Sequence, residues 1–118
     1  MYEKKTLEEI SNELIRNETN KYKIIVISKT TLLCTTHGII YRKMKSGFWK
    51  KIENKINHNK GYNVILINNK QYSRSKIILH AFKKLSLDNK NINIHHLNNQ
   101  KLDCSCNNLY IKSNSIIN

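Results

Sequence analysis

The sequence predicts a single α+β domain with an N-terminal helix, antiparallel β-hairpins, one packed helix and a C-terminal pair of strands. Two segments carry apolar residues at helical spacing, and short β-branched runs between turn signals fill the middle of the chain. A chain of 118 residues has room for one hydrophobic core. We divide it into an N-terminal helix at 1–20, a basic hairpin region at 21–73, and a part at 74–118 with the second helix and the last strands.

The first helix is predicted over residues 6–17 by a start signal and a periodic apolar face. Thr6 is followed three residues later by Glu9, a capping-box pattern in which each side chain bonds the backbone N–H of the other residue. The apolar positions that follow at helical spacing are Leu7, Ile10 and Leu14.

The middle of the chain predicts β-strands. Tyr22–Ser28 is a β-branched and apolar run. Gly38–Lys43 and Phe48–Ile52 are two more such runs, and Ser46-Gly47 between them is a turn signal, so we expect a hairpin.

A second hairpin and the packed helix follow. Tyr62–Ile67 alternates in the manner of a strand, and Asn68-Asn69-Lys70 makes the turn into Gln71-Tyr72. Ser73 is a suitable N-cap for a helix over residues 74–85. Its apolar positions are Ile77, Ile78, Ala81, Phe82 and Leu85.

The charge predicts a polyanionic partner. Twenty-one Lys and Arg against eight Asp and Glu give +13, more positive charge than solubility requires. A membrane-surface protein would concentrate its charge opposite the apolar face of one long helix, whereas this chain spreads lysine along its length. Asn and Ile each occur eighteen times and Pro is absent, so an AT-rich genome is an alternative source of the lysines.

Candidate nucleic-acid contacts fall into two groups. The densest basic cluster lies in the first hairpin, which could lie in a groove of DNA or be an ordinary solvated face. The start of the second helix is another candidate, because backbone amides there favour an anion. Trp49 could stack on a base, although tryptophan in a hairpin is more often a core residue. The candidates are Arg42, Lys43, Lys45, Trp49, Lys50, Lys51, Arg74 and Lys76.

The cysteines and the apolar runs indicate an intracellular protein. Cys34, Cys104 and Cys106 are odd in number and lack the spacing of a disulfide scaffold, and no N-terminal segment is typical of a signal peptide. The longest apolar runs are too short to cross a bilayer. Cys104-Ser105-Cys106 without a second pair is weak support for zinc, so we expect small packed thiols.

The segment Ile94–Leu109 carries the chemistry. Ile94 begins a predicted strand, 98–107 is a polar loop, and Leu109–Ile111 is the last strand. His95-His96, Asp103 and Asn108-Leu109, with twelve residues from His96 to Asn108, resemble the motif of HNH endonucleases related to homing enzymes.

The resemblance implies a C-terminal ββ(α)-metal element with a short or missing last helix. His96 falls on the general base, His95 on a metal contact, and Asn108 on a residue that braces the loop first and ligates metal second. A phosphodiester hydrolase needs an imidazole that titrates near neutral pH and a hard divalent cation such as Mg²⁺. The family's last metal ligand falls on Ile117, so either Asn118 or the terminal carboxylate completes the site, a partner chain does, or the site is inactive.

The resemblance extends more loosely over residues 22–112, through Gly61-Tyr62, Asn69-Lys70 and Ala81-Phe82. Where the relatives carry His-Arg at the start of the upstream helix, this chain has Ser75-Lys76. A phosphate-contacting histidine is therefore missing.

Two functions of different classes remain open. The first is a metal-dependent DNA endonuclease that uses a divalent cation and no organic cofactor. The second is an inactive HNH-derived subunit that binds DNA or RNA structurally in a larger nucleoprotein assembly. Neither involves a membrane, and the composition favours a viral, phage or organellar genome.

Overall fold

The structure is a computed structural model that describes residues 4–16, 21–88 and 92–113. Within these ranges the α-helices are α1 (Leu7–Arg16) and α2 (Arg74–Lys83), and neither is long and apolar enough to cross a membrane. A 3₁₀ turn covers Cys106–Asn108. The strands of the described ranges are β1 (Lys4–Lys5), β2 (Tyr22–Ile27), β3 (Thr30–Thr35), β4 (Ile40–Lys43), β5 (Trp49–Ile52), β6 (Val64–Ile67), β7 (Lys70–Ser73), β8 (Ile92–His96) and β9 (Leu109–Ser113).

The first strands form one antiparallel sheet in the order β1-β5-β4-β3-β2. β2 and β3 pair from Tyr22 opposite Thr35 to Ile27 opposite Thr30. β6–β7 and β8–β9 are antiparallel hairpins outside this sheet. The predicted α+β class is confirmed, and β1 and β3 are additions that the sequence patterns did not indicate.

Helix α1 begins with the predicted capping box. Thr6 Oγ1 accepts a hydrogen bond from Glu9 N at 3.1 Å, and Glu9 Oε1 accepts one from Thr6 N at 3.3 Å. Lys5 and Glu13 form an ion pair that ties the helix to β1. The buried face of α1 covers one side of the sheet in a cluster of Ile10, Leu14, Leu33, Tyr41 and Trp49.

Trp49 corrects one prediction. Its side chain is 4% exposed and packs in the cluster under α1. A ring buried in this way has no free face for a nucleobase. The assignment of Trp49 to nucleic-acid binding is therefore wrong, and the alternative of a core residue in a hairpin is right.

Helix α2 lies on the opposite side of the sheet and belongs to the larger core. Ser73 Oγ caps the helix by accepting from Lys76 N at 3.2 Å, as the sequence predicted. The helix ends at Lys83 rather than at residue 85, because Lys84 turns into the left-handed region with φ of 57°. Leu85 is still buried in the core, whose fully buried members include Leu32, Ile40, Ile67, Ile77 and Ile78.

Gly38 joins the sheet to the C-terminal motif. Its φ is +85°, and a Cβ there would lie 2.7 Å from the backbone carbon of Cys104 and 2.8 Å from its oxygen. Nearby, Cys106 N donates to Thr36 O at 2.7 Å, and Asn54 Nδ2 donates to Leu102 O at 2.5 Å. The loop that precedes β9 is thus seated against the turn between β3 and β4.

We predict that Gly38→Ala destabilises the protein by about 3 kcal/mol, because it combines a left-handed backbone with a clash against Cys104. Gly47→Ala is the matched control. Gly47 has a similar φ of +92° but nothing within 4 Å of the added methyl group, so its cost should be about 1 kcal/mol. Urea denaturation measures both, and equal losses would contradict a close contact at Gly38.

Candidate functional site

The hairpin β8–β9 positions the two motif histidines on opposite faces. His96 pairs with Leu109 and His95 with Tyr110, and successive side chains of a strand alternate. Leu109 is buried in the main core, so His96 lies on the core side of the hairpin. His95 lies on the other side and stacks on Tyr110, with ring centroids 5.1 Å apart.

Asn108 holds the loop between these strands. Its Nδ2 donates to Asn98 Oδ1 at 2.9 Å and to Asp103 O at 2.8 Å, while its Oδ1 accepts from Asn98 N at 3.1 Å. Its backbone oxygen accepts from Leu97 N at 2.8 Å. These bonds fix where the chain leaves β8 directly after His96.

His96 borders a cleft of about 370 Å³ between the start of α2 and β8. We call it the His96 cleft. Three lysines border it, and Lys101 Nζ donates to Lys60 O at 2.6 Å. His96 Nε2 is buried and has no hydrogen-bond partner among the described residues. The polar side chains of the cleft are Lys60, Tyr62, Ser73, Ser75, Lys76, Asn93, His96 and Lys101.

Burial lowers the pKa of His96 below its usual value of 6.5. The Asp103 carboxylate opposes this shift, whereas the positive charge of Lys101 and the neighbouring His95 add to it. The imidazole is therefore neutral at physiological pH, which is the form that can accept a proton.

Asp103 belongs to the loop and not to the cleft floor. Its Oδ1 accepts from Ser105 N at 3.2 Å and its Oδ2 from Asn98 Nδ2 at 2.7 Å. The bonds from Ser105 are the main reason that the pKa of Asp103 is lowered. The carboxylate is ionised and committed to the turn.

The cysteines are packed thiols, as expected. Cys34 and Cys104 are buried, and desolvation raises their pKa to about 12 and about 11. Such groups stay protonated at neutral pH in the metal-free protein.

The described residues do not assemble the predicted metal centre. Within 4–16, 21–88 and 92–113, no three His, Cys, Asp or Glu side chains are placed to hold an ion. His95 Nε2 is buried and lacks a hydrogen-bond partner within these ranges, but it lies across the strand from His96. Asn118, the other predicted metal ligand, lies outside the described residues.

Arg74 corrects a second prediction. The side chain is 1% exposed, and its guanidinium donates to Asn63 Oδ1 at 2.9 Å, Gly38 O at 2.8 Å and Ile52 O at 2.6 Å. A phosphate cannot reach it without displacing these bonds. Arg74 therefore does not contact nucleic acid directly, and the reason is tertiary burial that the helical position did not reveal.

The other predicted cations are placed at two locations. Lys76 borders the His96 cleft. Arg42 donates to Leu66 O at 3.3 Å from the hairpin β4–β5. Lys60 and Lys101 join the site although they were not predicted, because only the fold brings them to His96. The remaining predicted cations of the hairpin, all at least partly exposed, are Lys43, Lys45, Lys50 and Lys51.

Comparison of the chain with protein-family models, with curated proteins and with solved structures gives no match. The HNH interpretation thus depends on the motif residues and on the geometry of the His96 cleft.

We predict that His96 titrates below pH 6.5 in the folded protein, because desolvation disfavours the imidazolium. Asp103→Asn should lower the pKa further, since it removes a charge that favours the imidazolium. Lys101→Met should raise it, since it removes a repelling charge. NMR titration of the His96 ring measures all three proteins, and shifts in the opposite directions would refute this electrostatic account.

Proposed function

We propose that this protein binds nucleic acid at the His96 cleft and hydrolyses a phosphodiester there with His96 as general base. One observation carries the proposal: a neutral imidazole whose buried Nε2 has no partner among the described residues borders a cleft with three lysines. A site that combines an uncommitted base with cations suits a water nucleophile and an anionic substrate. By its motif the protein would be an HNH-like endonuclease.

The chemistry follows from these groups. The imidazole of His96 takes a proton from water, and the water oxygen attacks phosphorus. The bond from phosphorus to the leaving oxygen breaks, and that oxygen receives a proton from solvent. Lys60, Lys76 and Lys101 offset the negative charge on the phosphate. Asn108 keeps the end of β8 in place and does not touch the reacting atoms.

Mg²⁺ enters the proposal only through the resemblance, which implies a contact with His95, and Asn118 is the residue that could complete its ligands. The described residues do not fit a metal centre, and the proposed steps use only protein side chains and water. Its requirement is a matter for the cleavage assay.

The substrate is proposed to be DNA or RNA because the segment that forms most of the sheet carries positive charge and no carboxylates. From Lys21 to Ile52 the chain has eight Lys and Arg and no Asp or Glu. This segment contains β2 to β5. The exposed lysines of this segment, with no carboxylates among them, attract a phosphate backbone.

A second candidate is a non-catalytic nucleic-acid-binding subunit of a larger nucleoprotein assembly. The placement of His95 and His96 on opposite faces of β8 favours it, since a metal ion held by His95 would then lie across the strand from the general base. The two candidates share the cationic surface and differ in whether His96 accepts a proton.

We predict that the protein nicks supercoiled plasmid and that His96→Ala lowers the rate by about a hundredfold or more, because the general base is lost. The assay compares Mg²⁺, Mn²⁺ and EDTA. His80→Ala is the matched control, since His80 bonds Leu85 O at 2.7 Å and borders neither the His96 cleft nor the β4–β5 hairpin. Wild-type protein that nicks the plasmid with neither metal would rule out the endonuclease and leave the non-catalytic binding subunit.

We also predict that binding weakens steeply with salt, because phosphate contacts release counterions. The slope of log affinity against log salt should be about −0.9 for each phosphate contact on duplex DNA. Fluorescence anisotropy with a labelled duplex between low and physiological salt measures it. A flat response would rule out phosphate-dominated binding and with it both candidates.

A further inference from the structure

A second cleft, of about 800 Å³, lies between the hairpin β4–β5, the segment that follows it, and β6. We call it the Arg74 cleft. Four exposed or partly exposed cations border it, namely Arg42, Lys50, Lys51 and Lys55. Glu53 is the acidic residue that borders the cleft. Its Oε2 lies 3.8 Å from Lys55 Nζ in a solvent-exposed ion pair. The cleft is therefore strongly positive.

Arg74 adds a buried charge to its wall. The guanidinium is surrounded by neutral acceptors, the side-chain oxygen of Asn63 and two backbone oxygens. The nearest titratable groups, Cys34 and Cys104, are protonated thiols at neutral pH. Among the described residues no carboxylate forms an ion pair with Arg74. Within the described part of the chain, this buried cation therefore lacks the anionic partner that buried charges normally have.

The position of Arg74 in α2 adds to the excess of positive charge around it. It is the first residue of a ten-residue helix, and the first turn contains no acidic residue. A helix N-terminus is itself positive, so a cation there is disfavoured and an anion is favoured. An anion in the cleft would be stabilised by both charges without a direct bond to Arg74.

We infer that the Arg74 cleft binds a phosphorylated nucleoside, with the phosphate toward Lys51 and Lys55 and the ring against the apolar wall. That wall is formed by Ile39, Ile52 and Val64, which are half-buried. The volume lies in the range of pockets that take a small-molecule ligand. The ligand comes either from a free nucleotide or from one unit of a single strand.

The fold places this cleft beside the His96 cleft. Arg74 borders the first cleft and the next two residues, Ser75 and Lys76, border the second. The first turn of α2 therefore separates the two. The inference rests on the proposed binding of nucleic acid, and it adds a subsite for a neighbouring nucleotide of the same strand.

NMR titration identifies the ligand directly. Thymidine, dTMP and a short oligo(dT) are added in turn to the full chain, and the amides of Gly38, Ile52, Asn54 and Val64 are followed. Shifts with dTMP support a site for free nucleotides as well as strands, and shifts with oligo(dT) alone support a strand subsite. Equal shifts with thymidine and dTMP, or none with any ligand, overturn the inference.

Charge variants separate the cleft from general attraction. Lys51→Gln with Lys55→Gln should weaken oligo(dT) binding about tenfold and reduce the salt slope by about 1.4, because single strands give about 0.7 per contact. Lys83→Gln with Lys84→Gln removes the same charge at the other end of α2 and should change affinity less than about twofold. Equal losses in both pairs would mean diffuse attraction and overturn the subsite. Circular dichroism checks that each variant folds.

Binding at the Arg74 cleft can be tested independently of catalysis. The titrations are repeated with His96→Ala, which leaves the Arg74 cleft intact. The same shifts in His96→Ala as in wild-type protein would support a subsite that does not depend on the general base, and shifts in a wild-type protein that cleaves nothing would support the subsite while contradicting the enzyme. Cleavage by wild-type protein without such shifts would support the proposed endonuclease and contradict the inferred subsite.

Discussion

Arg74 connects three parts of the chain that are distant in sequence. Its guanidinium donates to Gly38 ahead of β4, to Ile52 at the end of β5 and to Asn63 ahead of β6, while its backbone begins α2. Asn63 is in turn held by its Nδ2, which donates to Lys55 O at 2.7 Å. Each acceptor left without its donor in a buried site would cost about 1–3 kcal/mol. Arg74 therefore helps to fix the relative positions of the sheet, the second hairpin and α2, together with the hydrophobic core that they share.

Both clefts follow from that arrangement. Because Arg74 fixes where α2 begins, it also fixes Ser75 and Lys76, which border the His96 cleft. The backbone oxygen of Gly38 accepts a hydrogen bond from Arg74, and Gly38 lies against Cys104. Arg74 is thereby connected to the loop that Asn108 braces. The candidate site is thus assembled by contacts among the C-terminal motif, the sheet and α2, which explains why the motif alone does not define it.

Features that depend on neighbouring residues could be predicted from the sequence, whereas features that depend on residues distant in sequence could not. The capping box at Thr6 and the turn at Asn68-Asn69 were predictable because both are local, and Asn tolerates the positive φ of 48° and 65° found there. β3 was missed because Ser28-Lys29, which turns β2 into it with φ of 46° and 68°, contains neither Gly nor Asn. The bonds of Arg74 join residues 11 to 36 positions apart, so no local pattern could reveal them.

The protonation state of His96 bears on the choice between the two proposed functions. A site that only binds phosphate would gain from an imidazolium, which adds a positive charge and a donor. Here burial, Lys101 and His95 all lower the pKa of His96, and Asp103, the group that opposes them, has both oxygens committed to its own loop. A neutral ring beside three lysines is the arrangement that a proton-accepting base needs. The electrostatics therefore favour the enzyme, while the placement of His95 across the strand favours the binding subunit.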